Sequence, residues 1–247
     1  MSTAVQMAAI RLADFLMGSA PGNTPFRAVA LVLSLAAHRR VGAPQAAELH
    51  RRIRLNTGLV NKGLRKKFSL DYDPLDVIEF DSFSSLLKKK PKGGTPWRDI
   101  LLVTHAQGEM AQGFAGEIYF GSEVFVMSRA GTNDLLDAMN RRRPAVDAFQ
   151  KGFAKSCTIK LIACGGGAAG PEIPVYVREL FDTDGLIKTP TRNVDFNKLG
   201  QLMVLKDPDD PRKELRPIKK DEWLIVPARD AILSAVDPLP PEDWEDF

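Results

Sequence analysis

Cys157-Thr-Ile-Lys-Leu-Ile-Ala-Cys-Gly-Gly-Gly-Ala-Ala-Gly170 is a mostly apolar, partly β-branched run that stops on Cys164, passes through three glycines and leads into a helical pattern near Pro171. A short apolar run closed by glycines reads as a buried strand. A strand feeding a turn and a helix lifts its last residue to the carboxyl edge of a sheet, where ligands and reacting groups of open α/β sheets gather. A second block ends the same way. Ile100-Leu-Leu-Val-Thr104 runs into His105, and Gly108 follows three residues later. A thiol and an imidazole, each at a strand end, are the parts of a cysteine nucleophile and its base.

Working outward, the apolar spacing predicts helices over residues 5–18 and 25–40, separated by a Gly/Pro loop, and two more over 44–54 and 57–67, split near Asn56. The basic second helix of that last pair, with Lys62, Arg65, Lys66 and Lys67, faintly resembles the reading helix of a helix-turn-helix unit. The alternative is a helical cap whose basic face is solvated or binds an acidic partner. Beyond Asp71, strands are expected at Leu75–Phe80 and Ile100–Thr104, then a hairpin over 117–127 turning at Gly121-Ser122. Residues 132–153 read as helical, capped by Thr132 or Asn133 and broken at Pro144. The Cys164 strand, a helix over 175–181, and strands at 186–189, 201–205 and 223–226 complete the pattern. Strand and helix in alternation imply an α/β fold with a mainly parallel central sheet from about Leu75 to Thr189. The expected organisation is a basic helical region over 1–70, an α/β domain over 71–236, and an acidic, proline-rich tail over 237–247.

Composition narrows the function classes. With 247 residues, 44% of them hydrophobic, the chain can bury a substantial core without disulfides. Cys157 and Cys164 would stand at opposite ends of one strand, roughly 23 Å apart, too far to bridge. Free thiols fit a reducing compartment. The longest apolar run, within residues 28–37, is about half of what crosses a bilayer. No membrane partner is therefore expected, and the location is cytoplasmic, or exported by a route without a visible signal. The net charge of +3 hides an asymmetry: residues 1–67 hold 11 Lys/Arg against Asp14 and Glu48. Such a split suggests two units with different partners, a nucleic acid or an acidic protein among them.

Cys157 fits a small buried hydrophobe, whereas the glycines after Cys164 suit a nucleophile, because they let substrate approach and free amides for an oxyanion. His38 and His50 fall in the basic helical region and read as surface or capping residues. The segment Ile162-Ala-Cys-Gly-Gly166, on an apolar strand and with His105 standing 59 residues upstream of Cys164, resembles the caspase signature, whose histidine lies about 50 residues before its Ala-Cys-Xaa-Gly. The wider resemblance, over roughly residues 75–228, is to the caspase-like (clan CD) cysteine peptidases, including the bacterial and toxin-borne autoprocessing domains. It implies a caspase-like three-layer sandwich and a Cys-His dyad in which His105 serves Cys164 as base and then protonates the leaving amine. It also implies a peptide or protein substrate, no cofactor, and an oxyanion site from the Cys164 amide and one near Gly108, with Gly108 and Gly165 facing substrate. The family usually has glycine immediately after its histidine; here Gly108 stands three residues on.

Two further readings stay open. Gly165, Gly167 and Gly170 spell G-x-G-x-x-G between a strand and a helix, a dinucleotide fingerprint, although the next strand does not end in the Asp or Glu that would hold a ribose. A caspase-like fold could also persist as a catalytically inactive interaction module. A phosphatase loop lacks its arginine, since position 170 is Gly, and zinc lacks Cys/His pairs at ligand spacing.

Overall fold

The computed structural model describes residues 27–42, 45–68, 75–108, 114–128, 133–168, 170–206 and 214–229. The expected helix over 5–18 and the acidic tail lie outside these residues. The centre of the fold is a six-stranded sheet in the order β2-β1-β3-β7-β8-β12. Its strands are β1 (Ala28–Leu33), β2 (Asp76–Phe80), β3 (Trp97–Val103), β7 (Phe153–Ile162), β8 (Ile187–Pro190) and β12 (Trp223–Val226). All neighbours pair parallel except β12, which runs antiparallel to β8 at the edge. The molecule is thus mixed α/β with a mainly parallel central sheet.

The innermost strands are apolar on both faces, as parallel sheets covered on both sides require. Along β1, Val29, Leu31 and Leu33 enter one core while Ala28, Ala30 and Val32 enter the other. Along β3, Ile100 and Leu102 take the first side, Leu101 and Val103 the second. The first core is closed by α3 (Phe83–Leu86), α4 (Asp134–Arg141), α5 (Arg143–Gln150) and α6 (Glu172–Phe181). It is also closed by a second sheet, β4 (His105–Gly108), β5 (Phe114–Phe120) and β6 (Glu123–Ser128). The other face is covered by α2 (Ala46–Phe68) and by the small sheet of β9 (Val194–Phe196), β10 (Leu202–Leu205) and β11 (Leu215–Pro217).

The hairpin turning at Gly121-Ser122, the Asn133 cap and the break around Pro144 stand as expected. Asn133 Oδ1 accepts from the Leu136 N–H, and Pro144 sits in the first turn of α5. The helix expected over 25–40 is corrected. Residues 28–33 are a strand of the central sheet, and only α1 (Leu35–Arg40) is helical, capped by Ser34, whose Oγ accepts from the Ala37 N–H. A fully buried Ala-Val-Ala-Leu-Val-Leu run carries no polar residue to reveal its period. The sheet therefore begins at Ala28 and not near Leu75, and the expected separate helical layer before residue 70 contains a central strand of the main domain.

The helix pair split at Asn56 is also corrected: α2 is one helix of 23 residues. Leu49, Ile53 and Val60 form one in-phase stripe on the second core, and packing of that stripe overrides the weak helix propensity of Asn56-Thr-Gly58. Asn56 spends its side chain on the Gly200 carbonyl, 2.9 Å away. Without a turn there is no helix-turn-helix unit. Lys62 is exposed, while the side chains of Arg65, Lys66 and Lys67 lie outside the described ones.

Placing residues 28–33 at the heart of the sheet has a measurable consequence. Leu31→Ala removes a fully buried side chain and is expected to cost about 3 kcal/mol of unfolding free energy. Leu59→Ala, on the exposed face of α2, should change stability by less than about 1 kcal/mol. Urea midpoints of the two variants at unchanged slope check this; equal effects would place residues 28–33 outside the core.

Candidate functional site

Strand order decides where a site can form. From β1 the chain crosses through α1 and α2 to β2 on one side; from β3 it moves to β7 on the other side. The carboxyl ends of β1 and β3 therefore diverge, and a crevice opens at this switch point. His38 follows β1, His105 follows β3, and Cys164 follows β7. All three line one cleft of about 270 Å³.

The register brings the last two together. Val103 pairs with Ile162, and the Thr104 N–H still donates to the Ile162 carbonyl at 3.1 Å. His105 and Cys164 each lie two residues beyond that pair. His105 stands at the corner where the chain leaves the main sheet and starts β4, opposite Tyr119 of β5. Cys164 is half-buried against the second core, and its Sγ donates to the Val194 carbonyl at 3.2 Å. Cys157 is fully buried, and burial, then the Asp99 charge, pushes its thiol well above the ordinary range. A thiol held protonated and away from solvent is a poor nucleophile.

The glycines bring the loops into contact. A Cβ on Gly108 would stand 2.4 Å from the Gly165 carbonyl oxygen and 2.8 Å from Ala168 Cβ, so β4 and the Cys164 turn touch backbone to backbone. Gly165 has φ +60°. Its N–H donates to the Arg192 carbonyl at 3.0 Å, so Gly165 serves by conformation and close approach and has no idle amide to offer. The Gly167 N–H donates to the Pro190 carbonyl, and the Gly170 N–H to the Gly167 carbonyl. A Cβ on Gly167 would meet Leu224 Cβ at 2.9 Å. A dinucleotide loop turns its amides toward a pyrophosphate; here they close the turn onto β8 and its exit.

The reading of His38 and His50 as surface residues is corrected. His38 is 1% exposed, and its Nδ1 lies 2.9 Å from His105 Nε2, the rings meeting edge-on. The His50 ring is 6.1 Å from that of His38, and its Nε2 hydrogen-bonds Glu79 Oε1 at 3.1 Å. His38 and His105 thus share the cleft with Cys164, and His50 packs behind His38. Burial, then the His105 and His50 rings, push the His38 imidazole down to about 4, against a smaller upward pull from the Leu33 carbonyl. Burial also lowers His105. Both rings are neutral near neutral pH. No group of three or more His, Cys, Asp or Glu among the described residues is disposed to hold a metal.

The far wall comes from α2 and β9. Arg52 donates from Nη1 to the Phe196 carbonyl at 2.8 Å and from Nε to Glu48 Oε1 at 2.8 Å, clasping the helix to the strand. The Glu48 and Asp195 carboxylates flank this guanidinium on the cleft. Sequence reasoning missed β9 and His38. No local motif marks His38, because its strand reads as part of a helix and the ring is placed by the strand order.

No family model matches the chain, and no curated protein matches it. Among the described residues no helix is long and apolar enough to cross a membrane.

A buried neutral imidazole makes stability depend on acid. The unfolded chain binds a proton at His38 below about 6.5, while the folded chain resists until about 4. The stability is fully present above the first value and is lost as pH falls toward the second, by up to about 3 kcal/mol. Urea unfolding at about pH 7 and about pH 4.5 should show this loss, and His38→Phe should remove part of it. An unchanged pH slope in a folded His38→Phe protein would show that His38 is not buried neutral.

Proposed function

We propose that the protein is a cysteine peptidase, related to the caspase-like group, that cleaves peptide bonds with a His105–Cys164 dyad. The observation that carries this reading is that the half-buried Cys164 and His105, whose imidazole burial keeps neutral, line one cleft at the carboxyl ends of paired parallel strands. Further support comes from the three-layer arrangement and from the touching backbones of Gly108 and Gly165.

In this reading His105 takes the Cys164 proton, and the thiolate sulfur attacks the scissile carbonyl carbon. The electron pair of the carbonyl moves to oxygen, which the Cys164 amide and one near Gly108 stabilise. The oxyanion collapses, the carbon–nitrogen bond breaks, and the His105 proton goes to the leaving amine. Water, deprotonated by His105, then attacks the thioester, and its breakdown returns the proton to sulfur. The resting hydrogen bond from Cys164 to Val194 gives way to the imidazole as substrate enters; such contacts are often tightened only in the substrate complex.

Cys164→Ala should abolish cleavage, of the chain itself or of a partner, with an unchanged circular dichroism spectrum, since it removes one sulfur. His105→Ala should lower the rate by about 10²-fold or more while Cys164 still alkylates slowly. Cys157→Ala should lose only modest stability and keep activity. One covalent peptide probe applied to all three variants decides the matter. Labelling at Cys157 reverses the assignment, and three folded variants with wild-type activity leave an interaction module as the surviving reading.

A further inference from the structure

We propose that His38 is the positioning residue of the site, accepting a hydrogen bond from His105 Nε2 so that the other ring nitrogen of His105 faces the Cys164 thiol as a lone pair. The inference rests on the dyad reading and adds a third member that nothing in the local motifs announces.

The argument is one of proton accounting. The facing nitrogens, His38 Nδ1 and His105 Nε2, are 2.9 Å apart, so a single hydrogen lies between them. With Nε2 engaged there, the nitrogen of His105 left for Cys164 is Nδ1. A base needs its lone pair at that atom, so the neutral His105 must carry its proton on Nε2 and donate it to His38 Nδ1. His38 must then be neutral, with its own proton on Nε2, a buried atom with no hydrogen-bond partner among the described residues. The fold supplies that condition. His38 is 1% exposed, and burial beside two other imidazoles holds it uncharged down to about pH 4. When His105 receives the thiol proton, both of its nitrogens carry hydrogen, and the Nε2–H to Nδ1 contact becomes charge-assisted. His38 steadies the imidazolium without taking its proton, because burial and the neighbouring imidazoles disfavour a charge on it.

The surrounding charges are consistent with a fixed, uncharged acceptor. On α2, His50 faces the His38 ring and is tied to Glu79 of β2. Glu48 and Arg52, from the same helix, neutralise one another on the cleft wall, and Asp195 of β9 lies beyond Arg52. On the second sheet Tyr119, opposite His105 in register, gives its hydroxyl to Glu117. Among the described residues, none of these side chains is hydrogen-bonded to the His38 or His105 ring. The positioning contact of His105 is therefore the His38 ring.

The test reads the thiol directly and needs no known substrate. The rate of Cys164 alkylation by iodoacetamide is followed against pH in the full chain, with Cys157 silent by burial. His38 stabilises the imidazolium, and the imidazolium stabilises the thiolate. His38→Phe should therefore move the alkylation profile upward by about one pH unit, and should slow labelling by a covalent peptide probe roughly tenfold or more. His38→Asn, whose Oδ1 can stand near the Nδ1 position as an acceptor, should restore most of both. His105→Ala should shift the profile further than His38→Phe. A folded His38→Phe protein with the wild-type profile overturns the proposal, as does an equal shift in His38→Asn, which would mark a packing role. If His105→Ala itself keeps the wild-type profile, the dyad reading fails and this proposal falls with it. A normal His105→Ala shift with no His38 effect removes this proposal alone.

Discussion

The parallel ladder between β3 and β7 is the constraint on which the rest of the site depends. Its register is set by burial on both faces: Leu102 and Leu161 point into one core, Val103 and Ile162 into the other. A slip of one residue would send each of these side chains to the wrong face, and the two cores differ in depth and lining. Packing therefore fixes the register without reference to chemistry. His105 and Cys164 inherit it, two residues beyond the last pair, although they stand 59 positions apart in the chain. The same two-face burial holds β1 beside β3, and that neighbour delivers His38 to the same level. Three reacting-type side chains meet because three strands share one hydrophobic register.

The charge asymmetry of the sequence has a different meaning once the fold is known. Basic residues of the described stretch 27–68 pair with acidic residues later in the chain. Arg40 pairs with Asp81, Arg54 and His50 meet Glu79, and Arg52 approaches Asp195. Each contact joins the basic first quarter to an acidic residue of the remainder. Exposed pairs of this kind stabilise by less than about 1 kcal/mol each. Their value lies in orientation, since they hold α2 over the open face of the sheet, where Arg52 also grips the β9 backbone. The cleft lies between this helix and the ends of the central strands.

Much of the sheet was legible because its strands end on punctuation. Cys164 before three glycines, His105 after Thr104 and the hairpin at Gly121-Ser122 all announce themselves locally. β1 was not legible, because six consecutive buried residues conceal the alternation that two cores impose on them. The continuity of α2 was hidden by Asn56-Thr-Gly58, poor helix formers whose placement is decided by contacts with Gly200 and the second core. β9 and β11 are three-residue strands, too short for any period to register. His38 was lost with β1: once residues 25–40 read as a single helix, its histidine looked like one more polar residue on a basic surface. The candidate pair was therefore readable from local pattern, while its third imidazole required the strand order.

The glycines after Cys164 show how structural and chemical demands can share one sequence. Gly166 packs where a Cβ would stand 2.7 Å from Thr189 Oγ1, and Gly167 packs against Leu224. These are requirements of the sheet edge, and they would hold if the thiol were inert. Yet the same contacts tie the turn to the β8–β9 connection through the Pro190 and Arg192 carbonyls. The residue at the head of that turn is thereby held from two sides, with the Val194 carbonyl accepting a hydrogen bond from its thiol and Gly108 of β4 touching the turn that follows it. A turn so braced presents one side chain at a defined place and permits little else to move. Such rigidity favours a reacting group over a ligand cradle, because attack on a carbonyl depends on the placement of one atom, whereas a phosphate cradle depends on several amides that this turn has already committed.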